Sequence, residues 1–99
     1  MTDRLPVDPD ALAALCRRHR IRRLSLFGPT VKGTARPDSD LDLLVEFEAG
    51  QEPGLLALVG IEAELSELIG KRVDLRTPQD FSRYVRDEVL REARLQYAA

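Results

Sequence analysis

The stretch SLFGPTVKGTARPDSDLDLLVEF, residues 25–47, contains two apolar runs with the alternation typical of β-strands. The first run ends at Gly28, and the second begins beside Asp40 and Asp42. Acidic residues are poor strand formers and are rarely buried without a partner. Two carboxylates at the start of a buried strand therefore need an explanation other than packing.

The pattern of the whole chain predicts the element order α-β-β-α-β-α. Asp8 is the expected N-cap of a first helix, with Pro9 as its first residue. Strands are predicted at RRLSLFG, LDLLVEF and KRVDLRT, and a second helix over residues 55–69 is followed by Gly70. A last helix is predicted to begin at Thr77, Pro78 and Asp80 and to carry Phe81, Tyr84, Val85, Val89 and Leu90. This order predicts an α/β (α+β) fold in which helices cover a small β-sheet.

Length and composition predict one domain. The chain has 99 residues, of which 43% are hydrophobic, enough for a single core. Its one cysteine, Cys16, excludes an internal disulfide, and its apolar neighbours predict a core position. The sequence has neither a run of transmembrane length nor a signal-peptide pattern. We therefore expect a soluble, cytoplasmic domain.

The charges are balanced in number but separated along the chain. Fifteen basic and 17 acidic residues give a formal net charge of -2, which argues against wholesale binding to nucleic acid or to a membrane. Residues 17–36 contain seven basic side chains and no acid, and residues 38–67 contain nine acids and no Lys or Arg. The basic run CRRHRIRR, which includes His19, is expected to be a solvated helix end. Contact with RNA or with an acidic protein surface is the alternative.

The carboxylates suggest a metal site. Asp40 and Asp42 are two residues apart in a predicted strand, so both side chains leave the same face. Like charges that close repel unless a cation relieves them, and Mg²⁺ prefers oxygen ligands. If the third strand lies beside the second, Asp74 would join the pair. A cluster of three carboxylates can hold two divalent ions for a phosphoryl transfer.

The same residues also have a plainer interpretation. PDSDLD is typical of a turn that leads into a strand, because Asp and Ser side chains bond their own backbone in turns. At a solvated strand end, Asp74 could simply pair with a basic neighbour, namely Lys71, Arg72 or Arg76. Both interpretations remain open from the carboxylates alone.

The segment before the acids adds a candidate phosphate site. Gly28 permits a sharp exit from the strand and a close approach of the backbone to a ligand. If Pro29 opens a short helical turn, we expect its free N–H groups to face outward and attract phosphate, with Lys32 and Arg36 adding charge. By itself, a glycine after a strand is typical of an ordinary turn.

Taken together, these positions resemble a known family. Gly28-Pro29, ten further residues and Asp40-x-Asp42 are similar to the Gly-Ser, ten residues, Asp-x-Asp signature of the minimal nucleotidyltransferases, within the DNA polymerase β-like superfamily. The resemblance extends to RPDSDLDLLVEF, to GKRVDLRTP and to VRDEVLREARLQY, which looks like the closing helix and tail of the family. It implies a single minimal nucleotidyltransferase domain over residues 1–99, with the small mixed sheet of the polymerase β-like palm fold.

The resemblance also implies a function. It implies a magnesium-dependent enzyme that transfers a nucleotidyl group, AMP from ATP, to a protein hydroxyl with release of pyrophosphate. The residues implied are Asp40, Asp42 and Asp74 for catalysis and for two Mg²⁺ ions, and Gly28, Pro29, Thr30 and Lys32 for the nucleotide. Among the three acids, Asp74 would help to activate the attacking hydroxyl. Minimal members often act as the antitoxin of a HEPN-family toxin, which is therefore the expected partner.

The chain departs from the family signature at Pro29, where the family has serine. Serine offers a hydroxyl and a backbone N–H to phosphate, and proline offers neither. Each hydrogen bond to a charged group contributes about 1.5–3 kcal/mol, so losing two predicts triphosphate binding weaker by about a hundredfold or more. Thr30 and Lys32 also stand where the family commonly has arginines. The alternative hypothesis is therefore a catalytically impaired protein of this fold that neutralises a partner toxin by binding it.

Overall fold

The computed structural model describes residues 4–33, 36 and 39–99, although the side chain of Thr30 lies outside the described part. Within these residues there are four α-helices, four β-strands and one short 3₁₀ helix. In chain order they are α1 (Pro9–Arg18), β1 (Ile21–Phe27), α2 (Pro29–Lys32), β2 (Leu41–Phe47), α3 (Leu55–Ile69), β3 (Val73–Arg76), the 3₁₀ helix (Pro78–Asp80), α4 (Arg83–Glu92) and β4 (Arg94–Ala98).

The four strands form one mixed sheet in the order β3-β2-β1-β4. Strand β1 pairs antiparallel with both β2 and β4, whereas β2 and β3 run parallel. A parallel pair needs a crossover connection, and here α3 supplies it. The predicted α/β (α+β) class with a small mixed sheet is confirmed.

The core lies between the sheet and the helices α1 and α3. In β2 the alternate residues Leu41, Leu43 and Val45 are buried in it, as the alternation predicts. Cys16 of α1 is fully buried, and burial raises the pKa of its thiol to about 12, which confirms a core residue. The other buried residues of the core come from both helices and from the strands, and they include Leu12, Leu15, Ile21, Leu24, Leu26, Ile61, Leu65, Ile69, Val73 and Leu75.

Two predicted helix ends are confirmed. Asp8 is the N-cap of α1, where its side chain accepts a hydrogen bond from the amide of Asp10, and Pro9 is the first helical residue. Gly70 ends α3 in the left-handed conformation at φ 80°, with its N–H donating to the carbonyl of Ser66. No helix in the described segments is apolar over a length that would cross a bilayer.

The prediction of one continuous last helix from Thr77 is wrong. The expected cap is present, because Thr77 and Asp80 form a capping box, but it opens only the 3₁₀ helix. The backbone becomes extended at Phe81, and α4 begins at Arg83. Phe81 lies outside both helices and packs edge-to-face on Phe27, with ring centroids 5.6 Å apart.

The end of the chain is also different from the prediction. The resemblance implies a tail after α4, but Arg94–Ala98 form β4, which pairs with β1 and lies at one edge of the sheet. The alternation in β4 rests on only two apolar residues, Leu95 and Tyr97, and no Gly or Pro separates them from the helical pattern of α4. The strand could therefore not be predicted from its own residues.

Candidate active site

One row of the sheet carries the central features of the site. Phe27 of β1 is paired with Asp42 of β2, and Asp42 is paired with Asp74 of β3. Residues directly opposite one another in a sheet project from the same face. The structure therefore places Asp74 next to Asp42, which confirms the arrangement expected if the third strand lies beside the second.

Asp40 lies just outside this row. It precedes β2 and is exposed, while the next amide, that of Leu41, donates to the carbonyl of Arg72 at 2.8 Å and fixes the start of β2 against the third strand. Among the described residues, no three His, Cys, Asp or Glu side chains are arranged to hold a metal ion. The structure thus brings two of the three predicted carboxylates side by side, and the complete trio remains a prediction.

Gly28 is positioned directly against Asp42. Its φ is +78°, in the left-handed region that glycine favours. A Cβ atom at this position would lie 2.5 Å from Oδ2 of Asp42, which is closer than real Cβ contacts. The turn and the strand carboxylate therefore need a residue without a side chain at this point.

The residues after Gly28 form the short helical turn expected there, with Pro29 as its first residue. The amides of Val31 and Lys32 both donate to the carbonyl of Gly28 at 3.1 Å. These two amides are therefore used within the turn, and the expectation that its free N–H groups attract phosphate stays a prediction. Lys32 is exposed and lies 3.7 Å from a carboxylate oxygen of Glu92 in α4. The predicted contacts of Gly28, Pro29, Thr30 and Lys32 with a nucleotide stay predictions.

Burial and a neighbouring negative charge both disfavour the ionised form of Asp42. Burial raises the pKa of Asp42 above its ordinary value, and the neighbouring charge of Asp74 raises it further, with a smaller contribution from Asp40. Arg76 acts in the opposite direction. Its guanidinium pairs with Asp74, as the plainer interpretation of that residue allowed. Asp74 thus has both a carboxylate neighbour on β2 and a basic partner on its own strand.

Helix α3 supports β3 through two side chains. The amide of Leu75 donates to Oε2 of Glu62 at 2.8 Å, and the amide of Val73 donates to Oγ of Ser66 at 2.9 Å. These bonds flank Asp74 on both sides and hold its backbone against the helix. No local signal in the sequence indicates this role of Glu62, because the bond depends on which strand lies beside the helix.

Two residues of the basic run at the end of α1 contact helix α3. Arg18 and His19 contact the two carboxylate oxygens of Glu64 in α3, at 2.9 and 3.0 Å respectively. The hydrogen bond from His19, followed by that from Arg18, lowers the pKa of Glu64. This part of the run therefore joins two helices at the surface, in agreement with the solvated helix end that the sequence predicts.

The residues of the row suit a hard divalent cation. Both paired side chains offer carboxylate oxygens, which are the ligands that Mg²⁺ prefers. Their proximity is unfavourable without a positive charge, as the raised pKa of Asp42 indicates. Because Gly28 has no side chain, it does not fill the space beside Oδ2 of Asp42.

Comparisons with known proteins agree on one family. The nucleotidyltransferase domain family matches residues 10–96. The protein adenylyltransferase MntA of Thermococcus cleftensis is 40% identical over 75 residues, which are 76% of this chain and 74% of that protein. A solved structure provisionally assigned as a minimal nucleotidyltransferase is 42% identical, with a TM-score of 0.70 over 86% of this chain and 85% of that chain.

A more distant solved structure has a similar fold. It is the complex of a tri-AMPylated HEPN toxin from Shewanella oneidensis with an MNT antitoxin. The likeness has a TM-score of 0.65 and covers 92% of this chain and 70% of that chain. At 16% identity it shows the fold alone.

Replacement of Gly28 by alanine is expected to destabilise the protein more than the same change at Gly50. Both glycines have a positive φ, +78° and +76°, so each variant loses about 1–2 kcal/mol to the left-handed backbone. Only at Gly28 does the new Cβ collide with Asp42, since nothing lies within 4 Å at Gly50. Chemical denaturation measures the difference, and equal losses of unfolding free energy would contradict the close approach of Gly28 to Asp42.

Asp42→Asn is expected to raise the melting temperature at pH 7 in the absence of divalent cations. Because the pKa of Asp42 is raised in the folded state, the carboxyl holds its proton more tightly there than in the unfolded chain. Wild-type stability is therefore lost as pH rises through the folded pKa, and asparagine does not titrate.

The advantage of Asp42→Asn should shrink as pH falls through the raised folded-state pKa of Asp42 and should be gone below the ordinary value of 3.8, where the wild-type carboxyl is protonated in both states. Thermal unfolding between about pH 3 and pH 8 tests this, with Asp87→Asn, an exposed acid of α4, as the control. A wild type as stable as Asp42→Asn at pH 7 would show that the row is not strained.

Proposed function

Since this chain belongs to the nucleotidyltransferase domain family, we propose that it transfers AMP from ATP to a hydroxyl group of a partner protein. The observation that carries the proposal is the row in which Asp42 lies between the glycine turn and Asp74. A relative of 40% identity that covers three quarters of the chain is a protein adenylyltransferase, which supports the same donor and the same class of acceptor.

The proposed reaction is a displacement at the α-phosphorus of ATP. The acceptor oxygen bonds to the α-phosphorus of ATP while the bond from that phosphorus to the bridging oxygen of pyrophosphate breaks, and the hydroxyl proton passes to a carboxylate or to water. Asp40, Asp42 and Asp74 would hold two Mg²⁺ ions, which neutralise charge on the triphosphate and on the attacking oxygen. Gly28 would allow the nucleotide to approach the backbone beside Asp42, and Asp74 would receive the proton or orient the hydroxyl.

We further propose a HEPN toxin as the acceptor protein, with this chain as its antitoxin. In the Shewanella oneidensis complex, one chain has a fold similar to that of this protein, and the toxin of the complex is an AMPylated HEPN protein. In this proposal the partner supplies the acceptor, because the hydroxyl that receives AMP belongs to the toxin itself. The cytoplasmic location expected from the single cysteine belongs to the same proposal.

A second candidate function is neutralisation by binding alone. Pro29 is the observation that favours it, because proline at the first position of α2 offers phosphate neither a hydroxyl nor an N–H. The two candidates share the partner and differ in whether AMP is transferred.

Incubation of the protein with ATP, Mg²⁺ and its HEPN partner should add AMP to the partner, detected by intact-protein mass spectrometry. Asp42→Asn and Asp74→Asn should reduce the AMP signal to that of a reaction without ATP, and Asp87→Asn should not. Chelation of divalent cations should have the same effect as the two site variants. A stable complex without added AMP under all conditions would overturn the enzymatic proposal and leave the binding function.

Pro29→Ser is expected to tighten ATP binding, because it restores one N–H and one hydroxyl beside the phosphates. Pro29→Ala restores the N–H alone and serves as the matched control. At about 1.5–3 kcal/mol for each bond to a charged group, we expect about tenfold or more for alanine and about a hundredfold or more for serine. Isothermal titration calorimetry measures both, and unchanged affinity in both variants would contradict a role for this turn in phosphate binding.

A further inference from the structure

We propose that Arg76 is a built-in counter-ion of Asp74, which a divalent cation must displace in order to bind both oxygens of that carboxylate. In this role Arg76 is a positioning residue that sets the metal affinity of the site through Asp74. The inference rests on the proposed function in one respect only, namely that Asp74 is a metal ligand.

The geometry of the pair supports this role. Asp74 and Arg76 are two residues apart in β3, so their side chains leave the same face. Nε of Arg76 lies 3.2 Å from Oδ1 of Asp74, and a terminal guanidinium nitrogen lies 3.3 Å from Oδ2. The fork of the guanidinium therefore engages both oxygens that a metal ion would use.

The surroundings of Arg76 are acidic as well. The pKa of its guanidinium is raised first by the hydrogen bond and the charge of Asp74, and then by the charges of Asp80 and Asp42. Arg76 also opposes the rise in the pKa of Asp42. The guanidinium thus relieves the repulsion between the two paired carboxylates, which is the task that a bound cation would otherwise perform.

The strength of the pair predicts a modest effect. The side chains of Arg76 and Asp74 are 51% and 35% exposed, so solvent screens their attraction. Exposed ion pairs of this kind shift an equilibrium by about 1.5- to fivefold. Arg76 should therefore weaken metal binding by that factor without preventing it. On displacement, the guanidinium still has the charge of Asp80 nearby.

Titration of the nucleotide-free protein with Mn²⁺, followed by the electron paramagnetic resonance signal of the free ion, tests the proposal. Arg76→Ala should bind Mn²⁺ about 1.5- to fivefold more tightly than the wild type. Arg18→Ala is the matched control, because it removes another exposed, ion-paired arginine, whose partner, Glu64, belongs to α3. Its Mn²⁺ affinity should be unchanged.

The role of Asp74 is tested by repeating the substitution in an Asp74→Asn background, where the gain from Arg76→Ala should fall by at least half. In the wild type, the Nε–H resonance of Arg76 should shift on addition of Mg²⁺ with the midpoint of metal binding, while that of Arg18 stays in place. Unchanged or weaker Mn²⁺ binding by Arg76→Ala, or a gain of the same size without Asp74, would overturn the inference.

Failure of the inference can be separated from failure of the proposed function. If the wild type binds Mn²⁺ and Arg76→Ala binds it equally, Arg76 is not a counter-ion, and the proposed AMP transfer is unaffected. If the wild type does not bind Mn²⁺ at all, the inference is overturned together with the metal dependence of the proposed reaction.

Discussion

The register that places Phe27, Asp42 and Asp74 in one row is the constraint on which the site depends. In a strand, a slip of one residue moves every side chain to the opposite face. Burial of Leu41 and Leu43 prevents such a slip, because both would have to leave the core. Because Leu41 and Leu43 point into the core, the side chain of Asp42 between them must leave the opposite face of the sheet. The same alternation therefore determines both the packing of β2 and the position of this carboxylate.

The cost of this arrangement is local. Asp42 is partly buried beside another acid, and the Phe27–Phe81 pair brings apolar surface to the same face of the sheet. Such a site lowers stability unless a cation is present. Two features offset the loss: Arg76 supplies a positive charge, and the bonds from α3 hold the backbone of β3. The hydrophobic core lies on the other face of the sheet. It stabilises the fold despite the repulsion between the two carboxylates.

The sequence predicted the parts of the molecule that carry periodic or local signals. The strands of residues 21–27 and 41–47, the cap at Asp8 and the stop at Gly70 all follow from such signals. The adjacency of Asp42 and Asp74 was expected only on the condition that their strands pair. Strand β4 and the extended backbone at Phe81 were missed, since both are set by distant partners in β1. The Glu62 bond and the choice of Arg76 among three basic neighbours depend in the same way on tertiary placement.

The bonds from α3 to β3 have a consequence for how this sheet meets other chains. An edge strand ordinarily offers its outward amides as a template for strand addition. In β3 the outward amides of Val73 and Leu75 are already satisfied by the side chains of Ser66 and Glu62. The helix thus protects this border of the sheet against strand addition by another chain, and so against aggregation along β3.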